Sequence, residues 1–302
     1  MSAETSAPLG RPLADAGDPV FEDERRRALR RFMRHRFAMA GALVLAVIIL
    51  LVVLAPLVTR TDPNAVNLCA ESKPPSGANL LGTDTEGRDI LARTLYGGRV
   101  SLEVGIVAML ISMIVGTLLG GLSGYFRGVS DWVIMRVTDV AMTFPPIVIM
   151  LAVAAIIGPG VWNSILIIGL LGWPVPARLV RSRILSVREN EFIEASRALG
   201  ASRWRTLFRH ALPNAIDVIV VAGTLAVANS ILLEAGMSFL GLGVQPPTPS
   251  WGNLLSAANQ LNVLVDFPWQ WIPAGVAIIL TVLAINLIGD GLRDALDPRA
   301  IA

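Results

Sequence analysis

A chain of 302 residues that is 54% apolar, carries 27 glycines and is only 16% charged holds more apolar matter than one water-soluble core can bury; soluble domains are roughly a quarter charged. With a mean hydropathy of +0.63, this excludes a disordered chain, a disulfide-rich secreted module and a water-soluble enzyme. The 25 basic and 23 acidic residues leave a net charge of +2, from which no partner follows. Lys73 is the single lysine and Pro74 follows it, so a G-x-x-x-x-G-K-[ST] phosphate loop has no place here. Cys69 is alone, and His35 and His210 are the two histidines, which leaves neither an internal disulfide nor enough ligands for a Cys/His metal site.

Residues 1–36 form a polar leader rich in arginine (Arg25, Arg26, Arg27, Arg30, Arg31, Arg34, Arg36). It reads as a topology anchor beside acidic lipid rather than a nucleic-acid arm, and it is too long and polar for a signal peptide. Residues 37–58 make the first membrane span, with 13 Leu, Ile and Val residues. Each contributes about −0.3 to −0.6 kcal/mol at mid-membrane, so one charge at roughly +3 would not reverse insertion. Residues 59–101 form an outer segment broken by Pro63, Pro74 and Pro75, in which Thr85 to Tyr96 reads as a short helix along the outer interface.

A core over 102–290 holds five further uncharged runs, at 104–122, 140–157, 161–177, 218–233 and 271–289. The predicted fold is therefore an all-α membrane protein with six transmembrane helices. With both ends inside, the inward segments hold 20 basic residues and the outward ones 5, the asymmetry expected of cytoplasmic loops, so the N- and C-termini and the tail 291–302 are expected in the cytoplasm.

The loop 178–214 is inward, arginine-rich and able to form two short helices. Glu191 to Leu199 sets Phe192, Ala195 and Leu199 on one face, Gly200 suits the left-handed residue ending it, and Ser202 caps a second helix that Pro213 stops. Such a knob is either an amphipathic loop resting on headgroups or a docking element for a cytoplasmic partner.

Glu194-Ala195-Ser196, Gly200 and Leu212-Pro213 resemble the Glu-Ala-Ala coupling loop of ATP-binding-cassette (ABC) importer permeases. Leu81-Gly82-Thr83-Asp84 with Gly87-Arg88-Asp89, Phe144-Pro145-Pro146, Arg209-His210, Ser238-Phe239-Leu240-Gly241-Leu242-Gly243, Trp251-Gly252 and Gly289-Asp290-Gly291-Leu292-Arg293-Asp294 extend the likeness. Together they resemble the C-type permease subunit of dipeptide, oligopeptide and nickel importers. Ser196 replaces the usual second Ala, and Ala211 a branched aliphatic residue.

The resemblance implies a type I ABC importer permease fold in the bacterial cytoplasmic (inner) membrane. It implies a non-catalytic subunit that translocates peptides or a related small solute. Its partners would be a B-type permease (as a heterodimer), two ATPase subunits that bind the ATP and Mg, a periplasmic or lipid-anchored solute-binding protein and membrane lipid, with no nucleic acid and no cofactor in this chain. It also implies that Glu191, Glu194, Ala195, Ser196, Leu199, Gly200, Arg209, Leu212 and Pro213 form the ATPase-coupling loop.

Polar groups inside spans are costly and usually functional. Arg136 and Asp139, three apart, are expected to pair on one helix face, as a local ion pair or a gate contact. Phe144-Pro145-Pro146 removes two backbone donors and kinks the third span, as a hinge or a packing bend. Glu103 and Glu234 read as interfacial, and Asn229 and Asn286 as hydrogen bonds between helices. The Trp- and Pro-rich stretch 241–271 reads as an aromatic belt combined with a lid that meets a binding protein. The rival readings are a gradient-driven secondary transporter and an intramembrane enzyme using Asp139 and Asp290.

Overall fold

The computed structural model describes residues 29–296. The basic leader lies outside the described residues up to position 28, and the C-terminal tail does so beyond position 296. Among the described residues every regular element is helical, and one isolated bridge joins Thr83 to Asp89.

Helix α1 (Arg36–Val53) starts at the N-cap His35, whose Nδ1 accepts from the Ala38 amide, and a short α2 (Ala55–Val58) follows. Helix α3 (Ile90–Phe126) has 37 residues, about 55 Å at 1.5 Å per residue, and so outruns a hydrocarbon core of about 30 Å. There is no separate interfacial helix over 85–96. Residues 83–89 form a tight turn, and Asp89, whose side chain accepts from the Ala92 amide, starts a helix that runs straight into the span. Gly87 adopts φ +71° there, and a Cβ on it would collide with the backbone of Asn67.

Helices α4 (Gly128–Thr143) and α5 (Pro146–Ile157) meet at a bend of 87°. Phe144 and Pro145 are extended, and neither Pro145 nor Pro146 can donate to a continuing helix. The third crossing is thus a broken one. Among the described residues five helices are long and apolar enough to span, and the bent pair makes up to six.

Helices α6 (Val161–Leu171) and α7 (Pro174–Arg188) behave as one 28-residue span despite Gly172, Pro174 and Pro176. Gly172 and Trp173 keep right-handed helical dihedrals, and Pro174 occupies the first position of α7, where a missing N–H matters least. The arginines at 178, 181, 183 and 188 therefore belong to the C-terminal half of this span, not to a loop.

The knob follows as α8 (Glu191–Ala198) and α9 (Arg203–Thr206), and α10 (Ile216–Phe239) is the fifth span. Pro213 does not stop the second knob helix. The chain widens into a π-turn over Leu207–Ala211, tightens to a 3-10 turn over Pro213–Ala215, and Arg203–Phe239 continues as one 37-residue helical rod. Asn214 Nδ2 donates to the His210 carbonyl at 2.8 Å within that irregular stretch. A cap over the N-terminal half of α3 carries α11 (Trp251–Leu255) and α12 (Leu261–Asp266) before the last span, α13 (Ile272–Leu296).

Small residues set the closest approach. Gly116, Gly120 and Gly124 form a stripe on α3 against α7, and a Cβ on Gly124 would lie 2.8 Å from the Arg181 carbonyl oxygen. Three apolar clusters stack along the bundle. One holds Leu102, Ile231, Trp251 and Ile278, the next Val104, Met150, Ile168 and Met237, and the third lies under the knob. Large apolar side chains such as Leu43, Ile114 and Ile279 are more than half exposed, as a lipid-facing surface requires.

Candidate functional site: the inner knob and the elements that hold it

Ile193 of α8 is fully buried among Tyr125, Val180, Ile184, Val187, Leu207 and Ala211, so the knob is pinned to the C-terminal ends of α3 and α7 and to the rod leading into α10. Its opposite edge is open. Glu191, Phe192, Glu194 and Ala195 are exposed, Leu199 is 88% exposed, and Ser196 is half-buried. Gly200 takes φ +83°, with its amide bonded to Arg197 O (2.9 Å) and the Ala201 amide to Ser196 O (3.1 Å), the paired bonds that close a helix C-terminus. Ser202 Oγ then accepts from the Arg205 amide at 3.3 Å.

Of the remaining coupling-loop candidates, Arg209 and Pro213 are exposed and Leu212 is half-buried against Gly121. The nine residues thus fall into a continuous hairpin of helices with one anchored and one free side.

The expected Arg136–Asp139 pair does not form. Asp139 accepts from Arg178 at 2.6 Å, and the Arg136 guanidinium lies 5.7 Å from the Trp132 ring centroid. Helix α7 is instead the hub of three ion pairs that link separate helices. Besides Arg178–Asp139, Arg181 grips Asp131 with two bonds of 2.6 and 2.7 Å, and Arg183 reaches Asp217 on α10 at 2.8 Å. Ser123 of α3 also donates to Asp131. The knob-side parts of α3, α4, α7 and α10 are therefore tied through arginines that sequence reasoning counted only as topology signals. Phe144, at the α4–α5 bend, is 54% exposed.

At the other end of the bundle Glu234 is not interfacial. It is fully buried, and its carboxylate accepts from Ser101 Oγ of α3 (2.8 Å) and Ser238 Oγ (2.7 Å). Those hydroxyls in turn accept the amides of Trp251 (3.1 Å) and Val244 (2.9 Å). One carboxylate thereby holds two spans and the cap together. Glu103 is exposed.

Trp251 is not part of a headgroup belt. It is 1% exposed, and its indole donates to the Thr94 carbonyl at 2.9 Å. Trp269 likewise donates to Thr83 O at 3.3 Å, joining the cap to the turn built on Asp84, whose carboxylate holds Arg88 Nε at 2.7 Å.

Between α7 and α10 runs an apolar groove. A cavity of about 260 Å³ in it is bordered by Ser112, Gly172, Pro176 and Asn229, and one of about 400 Å³ continues past Leu179 and Leu225 toward Arg293. Asn229 is exposed on this groove, and among the described residues it makes no hydrogen bond to another helix.

Residues 116–302 match the family model described as the binding-protein-dependent transport system inner membrane component. The chain belongs to that family. The permease also matches, over residues 25–75, the model of the N-terminal TM domain of oligopeptide transport permease C. A putative peptide permease of Brucella suis biovar 1 is 50% identical over 274 residues, 91% of each chain. The dipeptide transport system permease protein of Alkalihalophilus pseudofirmus is 39% identical over 99% of each chain, and the glutathione transport system permease protein of Pectobacterium atrosepticum is 43% identical over 89% of each. Among solved structures, a chain of the MetNI methionine ABC transporter superposes with a TM-score of 0.56 at 19% identity, covering 69% of this permease and 97% of that chain. The permease thus has the fold of an ABC importer's transmembrane subunit and is a multi-pass inner-membrane component of a transport assembly.

Proposed function

We propose that this permease is the C-type half of a heterodimeric channel that imports di- or oligopeptides. A B-type permease would complete the channel, two ATPase subunits would dock on the knob, and a solute-binding protein would deliver cargo to the outer cap. The chain itself is non-catalytic, and the ATP and Mg belong to the ATPase subunits.

The observation that carries this reading is the mechanical design of the knob. Its packed side is locked by Ile193 and Leu207, its edge of Glu191, Glu194 and Leu199 is free, and its second helix passes through the π- and 3-10 turns into α10 as one rod. A push on that edge is not absorbed by a flexible joint. It turns a 37-residue rod, Arg183–Asp217 passes the motion to α7, and the pairs to Asp131 and Asp139 pass it on to α4, as rigid-body rocking requires. The excess of basic residues on the knob's side supports a cytoplasmic position for it. The peptide cargo rests on what the relatives are named for, and the apolar groove with few fixed charges suits a passage that leaves selection to the binding protein.

Glu194→Arg or Gly200→Arg is expected to abolish uptake of a labelled dipeptide by the reconstituted assembly while the chain still inserts in the membrane. Normal uptake in both variants refutes the docking role. Uptake that follows an ion gradient in nucleotide-free vesicles would instead restore the secondary-transporter reading.

A further inference from the structure

Beside the knob, the inner ends of α3, α7 and α8 enclose a cavity of about 420 Å³ lined by Tyr125, Phe126, Arg188, Arg197, Ala201 and Arg203. Its floor is fixed. Tyr125 is 1% exposed, its carbonyl accepts Arg188 Nη1 at 2.7 Å, and the Arg188 and Arg197 guanidiniums lie 5.8 and 5.2 Å from its ring centroid. Arg127 and Arg203 add to the same positive field. The carboxylate at hand, Glu189, is taken by Arg127 at 3.0 Å, and among the described residues Arg188, Arg197 and Arg203 pair with no carboxylate. Such a concentration of like charge around a cavity calls for an anion.

The neighbouring surface says which kind. Phe126 lies 5.0 Å from Trp204, which stacks on Phe208 at 5.9 Å and 8°, and Trp204 and Phe208 remain 56% and 48% exposed. Arginines beside exposed aromatic rings, at the ends of spans, match the headgroup depth of a bilayer, where phosphate and apolar chain meet.

We infer that this cavity holds the phosphate of an anionic phospholipid from the leaflet on the knob's side, with Arg188, Arg197 and Arg203 on the phosphate and the Trp204–Phe208 stack against the glycerol and upper acyl region. The occupied site fills the hollow behind the knob and stiffens it. The inference rests on the proposed membrane setting of the knob but not on its coupling role.

The test uses the full chain alone in nanodiscs containing brominated phosphatidylglycerol or brominated phosphatidylcholine. Quenching of Trp204 is taken as the difference from Trp204→Phe. Phosphatidylglycerol is expected to bind on the order of a hundredfold more tightly, from about a fivefold gain for each of the three arginines. R197Q/R203Q should cut the preference about 25-fold with an unchanged unfolding midpoint, and R205Q, on the neighbouring turn, should keep it. Should the double variant fail to fold, the exposed Arg203→Gln alone is expected to weaken the preference about fivefold.

Equal quenching by both lipids, or a preference undiminished in R197Q/R203Q, overturns the site. Loss of the preference on adding inorganic phosphate reassigns it to a free phosphate and overturns the lipid. A double variant that keeps its lipid preference but no longer retains the ATPase subunits overturns it in favour of an acidic protein surface. Because no nucleotide or cargo is present, failure here is distinct from failure of the coupling role, which the Glu194→Arg uptake assay reads.

Discussion

At the residue scale, Glu234 is the group whose removal has the clearest consequence. Its carboxylate is the acceptor for two hydroxyls that are themselves committed to amides of the outer cap, so deleting it leaves Ser101 and Ser238 with no partner for their protons. Glu234→Ala should lower the stability of the detergent-solubilised chain by about 1–3 kcal/mol, seen as a lower unfolding midpoint, and increase proteolysis within 241–254. Glu234→Gln keeps an acceptor oxygen and should recover most of the loss. An unchanged midpoint in the alanine variant would show that Trp251 and Trp269 hold the cap without the carboxylate.

This network was not legible in the sequence. Glu234 sits next to an apolar run, where a charged residue ordinarily reaches water, and its partners are 133 positions back and 4 positions on. By contrast, the backbone demands of Gly200 and the cap at Ser202 are local properties of a few adjacent residues, and both were readable before any coordinates.

At the element scale the informative feature is the 87° break between α4 and α5. Proline chemistry predicted a kink at Phe144-Pro145-Pro146, because two successive amides are missing, but could not give its size. If the prolines impose the angle, Pro145→Ala/Pro146→Ala restores both donors, and spin labels at the exposed positions 132 and 156 should move apart, read by pulsed electron resonance. An unchanged label distance would assign the bend to the packing of Met150 and Ala154 against α6.

The opposite case is the continuous span of α6 and α7. There Pro174 and Pro176 fall in the first turn of a helix, where their missing N–H groups break no bond, so the same residue type that ends α4 leaves this axis intact. Pro213 is a third outcome, absorbed by a π-turn before it and a 3-10 turn after it.

At the scale of the whole molecule, topology and mechanics can be read together. After Cys69→Ser, a cysteine at the exposed Leu199 should react with an impermeant maleimide only in inverted vesicles, and one at the exposed Leu261 only in intact cells. Labelling of both from one side would overturn the inside position of the knob and the placement of the cap opposite it. The three α7 pairs bear on the mechanics. They are partly exposed, so each contributes little to stability by itself, but the two-bond Arg181–Asp131 pair fixes geometry as well as charge.

The sequence by itself determined the solvent of this protein, the number of apolar rods to within the broken third one, and a helix from Glu191 closed at Gly200 with a second one begun at Ser202. Hydropathy, proline placement and capping act over one or two turns, and their contributions sum along the chain. Only the tertiary structure decided which arginine meets which carboxylate, that Asp139 turns to Arg178 rather than Arg136, and that Glu234 and Trp251 face inward. Those choices depend on the rotation and depth at which separate helices pack. The small residues of α3 set that closeness through contacts about 60 positions along the chain, beyond the reach of any local pattern.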